Sequence, residues 1–184
     1  MKYCSNCGHS PLEYSIPKDD NRLRYHCSSC GTIYYSNPKI VVGCIPIYQD
    51  QVMLCKRSIE PRAGYWNLPA GFMENGETLQ EGALREVWEE AETKVEIQRM
   101  HTVYHVGHAN QIYFFFLAKM AKLEYKIGME TMEIQMFPLS DIPYEDLAFH
   151  SNVFTLQKYI ENPDFQGIHY GKSTPETRLI FKKK

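Results

Sequence analysis

The sequence predicts an α/β (α+β) protein made of one domain of ordinary size and a small cysteine-rich module ahead of it. Three observations carry this. Two Cys-x2-Cys pairs, Cys4/Cys7 and Cys27/Cys30, lie within a polar stretch of residues 1–36. From Ile40 onward, β-branched and aromatic segments alternate with segments of helical period. A chain of 184 residues with 43% hydrophobic content can bury one sizeable core but not two. With 20 basic and 22 acidic residues, the formal net charge of -2 gives no overall polyanion-binding character. The longest apolar run, Tyr113 to Ala118, is far too short to span a bilayer, and Met1–Cys7 lacks a signal peptide's apolar core. A cytoplasmic protein without a membrane or nucleic-acid partner is expected.

The elements follow in order. Asn37-Pro38 marks a boundary, because the residue before a proline is pushed out of helix. Residues 40–48 read as a buried strand and 52–55 as its hairpin partner, with 66–68 short and extended. Leu79 to Ala91 is the clearest helix. Lys94 to Val106, Gln111 to Lys119 and Glu133 to Leu139 read as strands. Asn152 to Glu161 reads as a second helix ended by Asn162-Pro163. This gives three regions: a ribbon over 1–36, a main domain over 37–163, and a polar tail over 164–184 ending in Lys182-Lys183-Lys184.

The cysteine pairs form a small repeat, Cys4-Ser-Asn-Cys7-Gly8 and Cys27-Ser-Ser-Cys30-Gly31, with nineteen residues between the pairs. The two-residue spacer lets both sulfurs reach one metal, and the glycine relieves crowding where positive φ is required. Cys4, Cys7, Cys27 and Cys30 are therefore expected to hold a structural Zn²⁺. His9 and His26 read as surface residues, and Cys44 and Cys55 as buried small hydrophobes.

In the helix, Thr78 is a natural N-cap with Glu81 completing a capping box. Leu84, Val87, Trp88 and Ala91 are expected to form the apolar face, with Glu86, Glu89 and Glu90 on the opposite one. Three carboxylates within one turn repel each other by a few tenths of a kcal/mol per pair. Such a group is either a solvated acidic face or a holder of hard divalent cations. Upstream, Gly64, Gly71 and Gly76 with Pro61 and Pro69 make a tightly turned segment, and Glu77 can take the Arg85 guanidinium in a bidentate pair.

Gly71-x5-Glu77-x7-Arg85-Glu86-Val87-x-Glu89-Glu90 resembles the Nudix box of the Nudix hydrolases, matching at every charged position. Arg57, Gly64, Trp66 and Pro69 resemble the family's approach to the box. The chain departs at the end of the box, where the family has glycine followed by an aliphatic residue and this chain has Glu92-Thr93. The resemblance spans about residues 38–160 and implies a mixed β-sheet sandwiched by helices. The family includes members with an N-terminal four-cysteine ribbon. The signature Ser-Gln-Pro-Trp-Pro-Phe-Pro of its NADH pyrophosphatases is absent, and the chain looks more similar to relatives acting on ADP-ribose or FAD.

The resemblance implies metal-dependent hydrolysis of a nucleoside diphosphate linked to another moiety, FAD or ADP-ribose, with NADH as the alternative. Glu86, Glu89 and Glu90 would hold Mg²⁺ or Mn²⁺, with the Ala70 carbonyl oxygen as a further ligand, while Glu77 and Arg85 orient them. Arg57 and Arg62 are candidates for phosphate contact, and Glu130 and Glu133 for a further ligand or the general base. Tyr104, Tyr113, Phe114, Phe115 and Phe116 include candidates for stacking on a substrate ring, with core packing as the default. A small nucleotide is the expected partner, and relatives of this kind are commonly homodimers. Two readings of other classes are a catalytically inactive nucleotide sensor and a nucleic-acid-binding ribbon protein.

Overall fold

The computed structural model describes residues 1–175 and 177. The chain separates into two compact units, Met1–Asn37 and a second that begins at Pro38.

In the first unit, β1 (Glu13–Ser15), β2 (Arg24–His26) and β3 (Ile33–Tyr34) form an antiparallel sheet. These strands are too short to show a period in the sequence. Each cysteine pair makes a knuckle. The Gly8 N–H donates to the Cys4 carbonyl and the Gly31 N–H to the Cys27 carbonyl. Gly8 and Gly31 take φ of 77° and 72°, which a side chain would strain. Cys4, Leu12 and Cys27 form the small core, with Tyr34 against it.

The second unit is a mixed sheet with a helix on each face. Its strands are β4 (Lys39–Tyr48), β5 (Gln51–Arg57), β6 (Trp66–Asn67), β7 (Ala70–Phe72), β8 (Val95–Val106), β9 (Gln111–Met120), β10 (Thr131–Pro138) and β11 (His169–Lys172). They run in the order β10-β5-β4-β9-β8-β11, with β6 on β5 and β7 on β4. β4 pairs parallel with β9 and β11 parallel with β8, and the other pairs are antiparallel.

Strand alternation splits the core in two. Val42, Cys44, Met53, Cys55 and Phe116 face α1 (Leu79–Ala91) through Ala83, Val87 and Ala91. Ile45, Val52, Leu54 and Phe115 face the other way, with Leu156 of α2 (His150–Glu161). Cys44 and Cys55 are buried free thiols, as expected of small hydrophobes.

Two expectations are corrected. The buried face of α1 is Ala83, Val87, Glu90 and Ala91, whereas Leu84 and Trp88 are 38% and 50% exposed. The helix is rotated so that its small residues lie on β4 and two of its carboxylates flank the packed face. Close approach to the sheet favours alanine and valine there, and a tryptophan would not fit. The second correction is the tail. Within the expected polar tail, His169–Lys172 forms an edge strand that gives β8 a hydrogen-bonded partner. Lys182-Lys183-Lys184 lies outside the described residues.

Candidate active site

The site is assembled where α1 meets the loop before it. The Thr78 side chain accepts from the Glu81 N–H at 3.2 Å, and the Glu81 carboxylate accepts from the Thr78 N–H at 2.8 Å. This closed box fixes where the helix begins. Arg85 then ties loop to helix. Its Nε and Nη2 donate to the two oxygens of Glu77 at 3.0 and 2.8 Å, and Nη2 also donates to the Phe72 carbonyl at 3.0 Å. The Glu74 N–H adds a 2.6 Å bond to Glu77, and the Arg85 bonds together with this one hold the Glu77 carboxyl down at about 2. Glu77 is therefore a charged clamp, not a proton carrier.

The remaining nitrogen of Arg85, Nη1, donates to Glu86 at 2.7 Å and Glu89 at 3.0 Å. Glu90, only 7% exposed, accepts from the Ala70 N–H at 3.1 Å. Burial pushes its carboxyl up to about 8, helped by the negative charge of Glu86 and Glu130. Burial also raises Glu86, against the pull of Arg85. Gly71 makes this approach possible: a Cβ there would overlap the Glu86 carboxylate. Among the described residues, the four cysteines are the only group of three or more His, Cys, Asp or Glu side chains whose ligand atoms all lie within 4.8 Å of one another. The α1 carboxylates stand wider apart, divided between Arg85 and the Ala70 N–H.

A cleft of about 1100 Å³ opens over these groups. Arg57, Arg62, Ala70, Gly71, Arg85, Glu86, Glu89, Glu90 and Glu130 all line it. Arg57 is held by a 3.0 Å bond to the Pro61 carbonyl, with its guanidinium 5.3 Å from the Phe149 ring centroid. Arg62 lies over Tyr65. Glu130 and Glu133 part company. Glu130 faces the cleft, while Glu133 pairs with Lys56 at 3.0 Å and does not join it. A register shift between Thr131 and Glu133 lies between these two glutamates. Of the aromatic candidates, Tyr104 and Tyr113 line the cleft, while Phe115 and Phe116 are core and Phe114 packs against core.

Sequence reasoning missed three contributors. Phe149 caps the second helix and His150 begins it, ahead of the expected start at Asn152, and Ser173 and Thr177 belong to the expected polar tail, yet all four line the cleft. The third is Gly128. Its N–H donates to the Glu90 carbonyl at 3.1 Å, and a Cβ on it would collide with the Glu89 carbonyl oxygen. Only glycine lets the loop before β10 seat on the end of α1 and bring Glu130 to the cleft. A lone glycine in a polar loop gives no such signal in sequence.

Two donor sets thus exist, and each fits a different metal. Sulfurs of Cys4 and Cys30, and of Cys7 and Cys27, are 3.6 Å apart. A tetrahedral site with Zn–S of about 2.3 Å requires sulfurs about 3.8 Å apart. Tyr34 Oη, at 3.1 Å from the Cys4 sulfur, donates to it. On α1 the donors are carboxylate oxygens, two of them on the buried side chains Glu86 and Glu90, which suits a hard divalent cation.

Residues 37–157 match the NUDIX domain family, and residues 2–36 match the family described as Nudix N-terminal, a zinc ribbon. A crystal structure of a NUDIX hydrolase from Nitrosomonas europaea is 44% identical and superposes with a TM-score of 0.88, covering 94% of this chain and 99% of that one. An ADP-ribose pyrophosphatase of Methanocaldococcus jannaschii is 31% identical over 62% of this chain and 69% of its own length. The NAD-capped RNA hydrolase NudC of Chromobacterium violaceum is 38% identical over 48% of this chain and 32% of its own length. NudC of Salmonella typhi is 31% identical over 77% of this chain and 53% of its own length. The chain thus spans about a third to a half of the NudC relatives it matches. Matched over most of its length in sequence and nearly all of it in structure, the chain belongs to the Nudix hydrolase family and carries that family's N-terminal ribbon.

Proposed function

We propose that this protein hydrolyses the pyrophosphate of a nucleoside diphosphate linked to a second moiety, FAD or ADP-ribose, releasing AMP. One observation carries the reading: a buried glutamate, Glu90, accompanied by Glu86 and Glu130 in a large cleft, with its carboxyl pushed up to about 8 by burial and by these two neighbours, so that a cation is what would let it ionise near neutral pH. A structural helix gains nothing from that arrangement, whereas a site for Mg²⁺ or Mn²⁺ requires it. Glu86, Glu89 and Glu90 would hold the cation, with the Ala70 carbonyl as a further donor. A cation bound there neutralises phosphate charge and lowers the pKa of attached water.

The chain's own groups do the rest. Arg85, anchored on Glu77, sets the spacing of Glu86 and Glu89. Arg57, held over Phe149, offers its charge to a phosphate oxygen in the cleft, with Arg62 beside it. Glu130 is the candidate to take the proton from the attacking water. The four cysteines would hold a structural Zn²⁺ with no open position for substrate. Six free cysteines accord with a reducing compartment, and we place the protein in the cytoplasm.

A second reading, cleavage at the pyrophosphate of an NAD-type dinucleotide, is favoured by the likeness to NAD-capped RNA hydrolases. The test is a product-resolved panel of FAD, ADP-ribose, NADH and NAD-capped RNA, each with Mg²⁺ and with Mn²⁺. The first reading expects AMP with FMN, or AMP with ribose 5-phosphate. Faster turnover of NADH or capped RNA establishes the second. Inactivity on every member with both metals leaves a nucleotide-binding sensor.

A further inference from the structure

The cleft is segregated by charge. Its Asp, Glu, Lys and Arg residues, such as Arg57, Arg85, Glu86, Glu90 and Glu130, come from α1, the end of β5 and the loops around them. On the β8–β11 side, the described lining residues from Tyr104 to Tyr113, together with His150, Ser173 and Thr177, include none of these four types. Burial lowers His150, which keeps that ring neutral near pH 7. Strands are about 4.8 Å apart, so β8 and β11 lie about 10 and 14 Å across the sheet from β4. One side of the cleft therefore suits a diphosphate with a cation, and the other an uncharged, hydrogen-bonding ring system.

The uncharged side is closed by the chain beyond α2. β11 runs beside β8 with Gly171 opposite Tyr104, and the Ser173 N–H extends the pairing through a 2.8 Å bond to the His105 carbonyl. Thr174 and Thr177 are linked, the Thr174 N–H donating to Thr177 Oγ1 at 2.8 Å. Gly171 is fitted to its place: a Cβ would lie 2.6 Å from the Tyr104 ring and 2.8 Å from that of Phe154. Tyr104 in turn bonds His150 Nδ1 at 2.9 Å. A nonspecific tail has no reason to demand glycine against a buried tyrosine that lines the cleft.

We propose that this strap, His169–Lys172 with Ser173 and Thr177, seats and selects the uncharged nucleoside end of the substrate. The inference rests on the diphosphate reading above. Gly171 is a positioning residue, and Ser173 and Thr177 are contact residues.

The experiment compares wild type, Gly171→Val and Ser173→Ala on ADP-ribose and its guanosine counterpart, together with equilibrium binding of AMP and the Mg²⁺-induced shift in melting temperature. Gly171→Val should raise KM for the preferred nucleoside at least about tenfold, change kcat much less, and narrow the preference between bases by a similar factor. The Mg²⁺ shift should stay as in wild type. Ser173→Ala, which leaves the strap backbone intact, should move KM and base preference in the same direction, and it decides the matter if Gly171→Val does not fold. Unchanged KM and preference, or a fall confined to kcat, overturns the proposal. If wild type hydrolyses nothing, the diphosphate reading has failed and AMP binding decides separately. Weaker binding by the strap variants supports the strap, whereas equal binding, or no binding by wild type, overturns it.

Discussion

The four cysteines of the ribbon and the glutamates of α1 are both donor clusters, yet they are built on opposite plans. The sulfurs already stand 3.6 Å apart in pairs, on knuckles whose glycines hold φ near 75°, with Tyr34 donating to one of them. The glutamates stand apart, two of them engaged by Arg85 and the third by a backbone N–H. A closed set of soft donors contributes its metal's binding energy to folding. An open set of hard donors is held apart by its own partners, and its buried member is kept from ionising readily, so that an arriving cation has something to gain. Placement, more than ligand type, separates a structural site from a working one.

The largest expected effect tests the closed site. Cys4→Ser, or a strong chelator, should unfold the ribbon, because metal affinity of about 10 kcal/mol or more is folding energy in such modules. The unit from Pro38 onward should keep its melting transition. Elemental analysis and calorimetry check this, and purified protein that holds no zinc would refute it.

The open site should respond the other way. Glu90→Gln should cut turnover about a thousandfold, roughly 4 kcal/mol in the barrier. It should also shrink the Mg²⁺-induced rise in melting temperature while leaving metal-free stability equal or higher. The pH dependence sharpens this. An unfolded glutamate titrates near 4.5 and the folded Glu90 near 8, so metal-free protein is destabilised progressively as pH rises through that window. Glu90→Gln should flatten that slope in metal-free melts from pH 5 to 9. Equal slopes and equal turnover would mean that Glu90 is not a ligand.

Acid probes the second unit where no metal is involved. His101 is fully buried, and its ring nitrogens face Arg99 at 3.1 Å and the Thr155 carbonyl at 3.3 Å. Arg99 can only donate, so Nδ1 accepts and Nε2 carries the proton toward Thr155. Burial first, then Arg99, lowers this histidine from 6.5 to about 4. The unfolded chain thus binds the extra proton first as pH falls, and stability present above about 6.5 is lost on the way to 4. The loss is up to about 3 kcal/mol. Urea melts at pH 7 and 4.5 should show it, and His101→Gln should lose less over the same interval.

The smallest effect concerns the end of the box. Glu92 takes φ 42° and ψ 34°, the left-handed cap where the family has glycine. Its pair with Lys126, at 3.7 Å between exposed groups, contributes little. Glu92→Gly should stabilise the second unit by about 0.5–1 kcal/mol, raising its melting temperature by roughly 1–4 °C and leaving the ribbon unaffected.

What was legible in the sequence was what repeats or what chemistry isolates. β4 and β5 announce themselves by their apolar, β-branched runs, α1 by its period and Thr78-Glu81 capping, the ribbon by its duplicated knuckle, and the acidic cluster by its self-repulsion. The face of α1 was misread because apolar residues were equated with burial. Here Glu86 and Glu90 are buried at 9% and 7% exposure while Trp88 is not, a trade that a rule equating apolar with buried does not foresee. β11 escaped notice because four residues carry no period, and the meaning of Gly171 lies in Tyr104 and Phe154, far away in sequence. Glu130 and Glu133 look alike as letters, and only the fold sends one to the cleft and the other to Lys56.

The seat of the loop on α1 bears on how this enzyme family can vary. Lys126 and Gly128 donate their N–H groups to the carbonyls of Ala91 and Glu90, the helix end that would otherwise lie unsatisfied. From that anchorage to Glu130 the chain is a spacer of fixed length. One residue inserted between Gly128 and Glu130 would carry the carboxylate off its mark, whereas one inserted among the exposed residues 121–124, ahead of the anchor, would be taken up in solvent. Length changes in this loop should therefore be tolerated on one side of Lys126 and not beyond Gly128, an asymmetry that an insertion scan read by turnover would map to the residue.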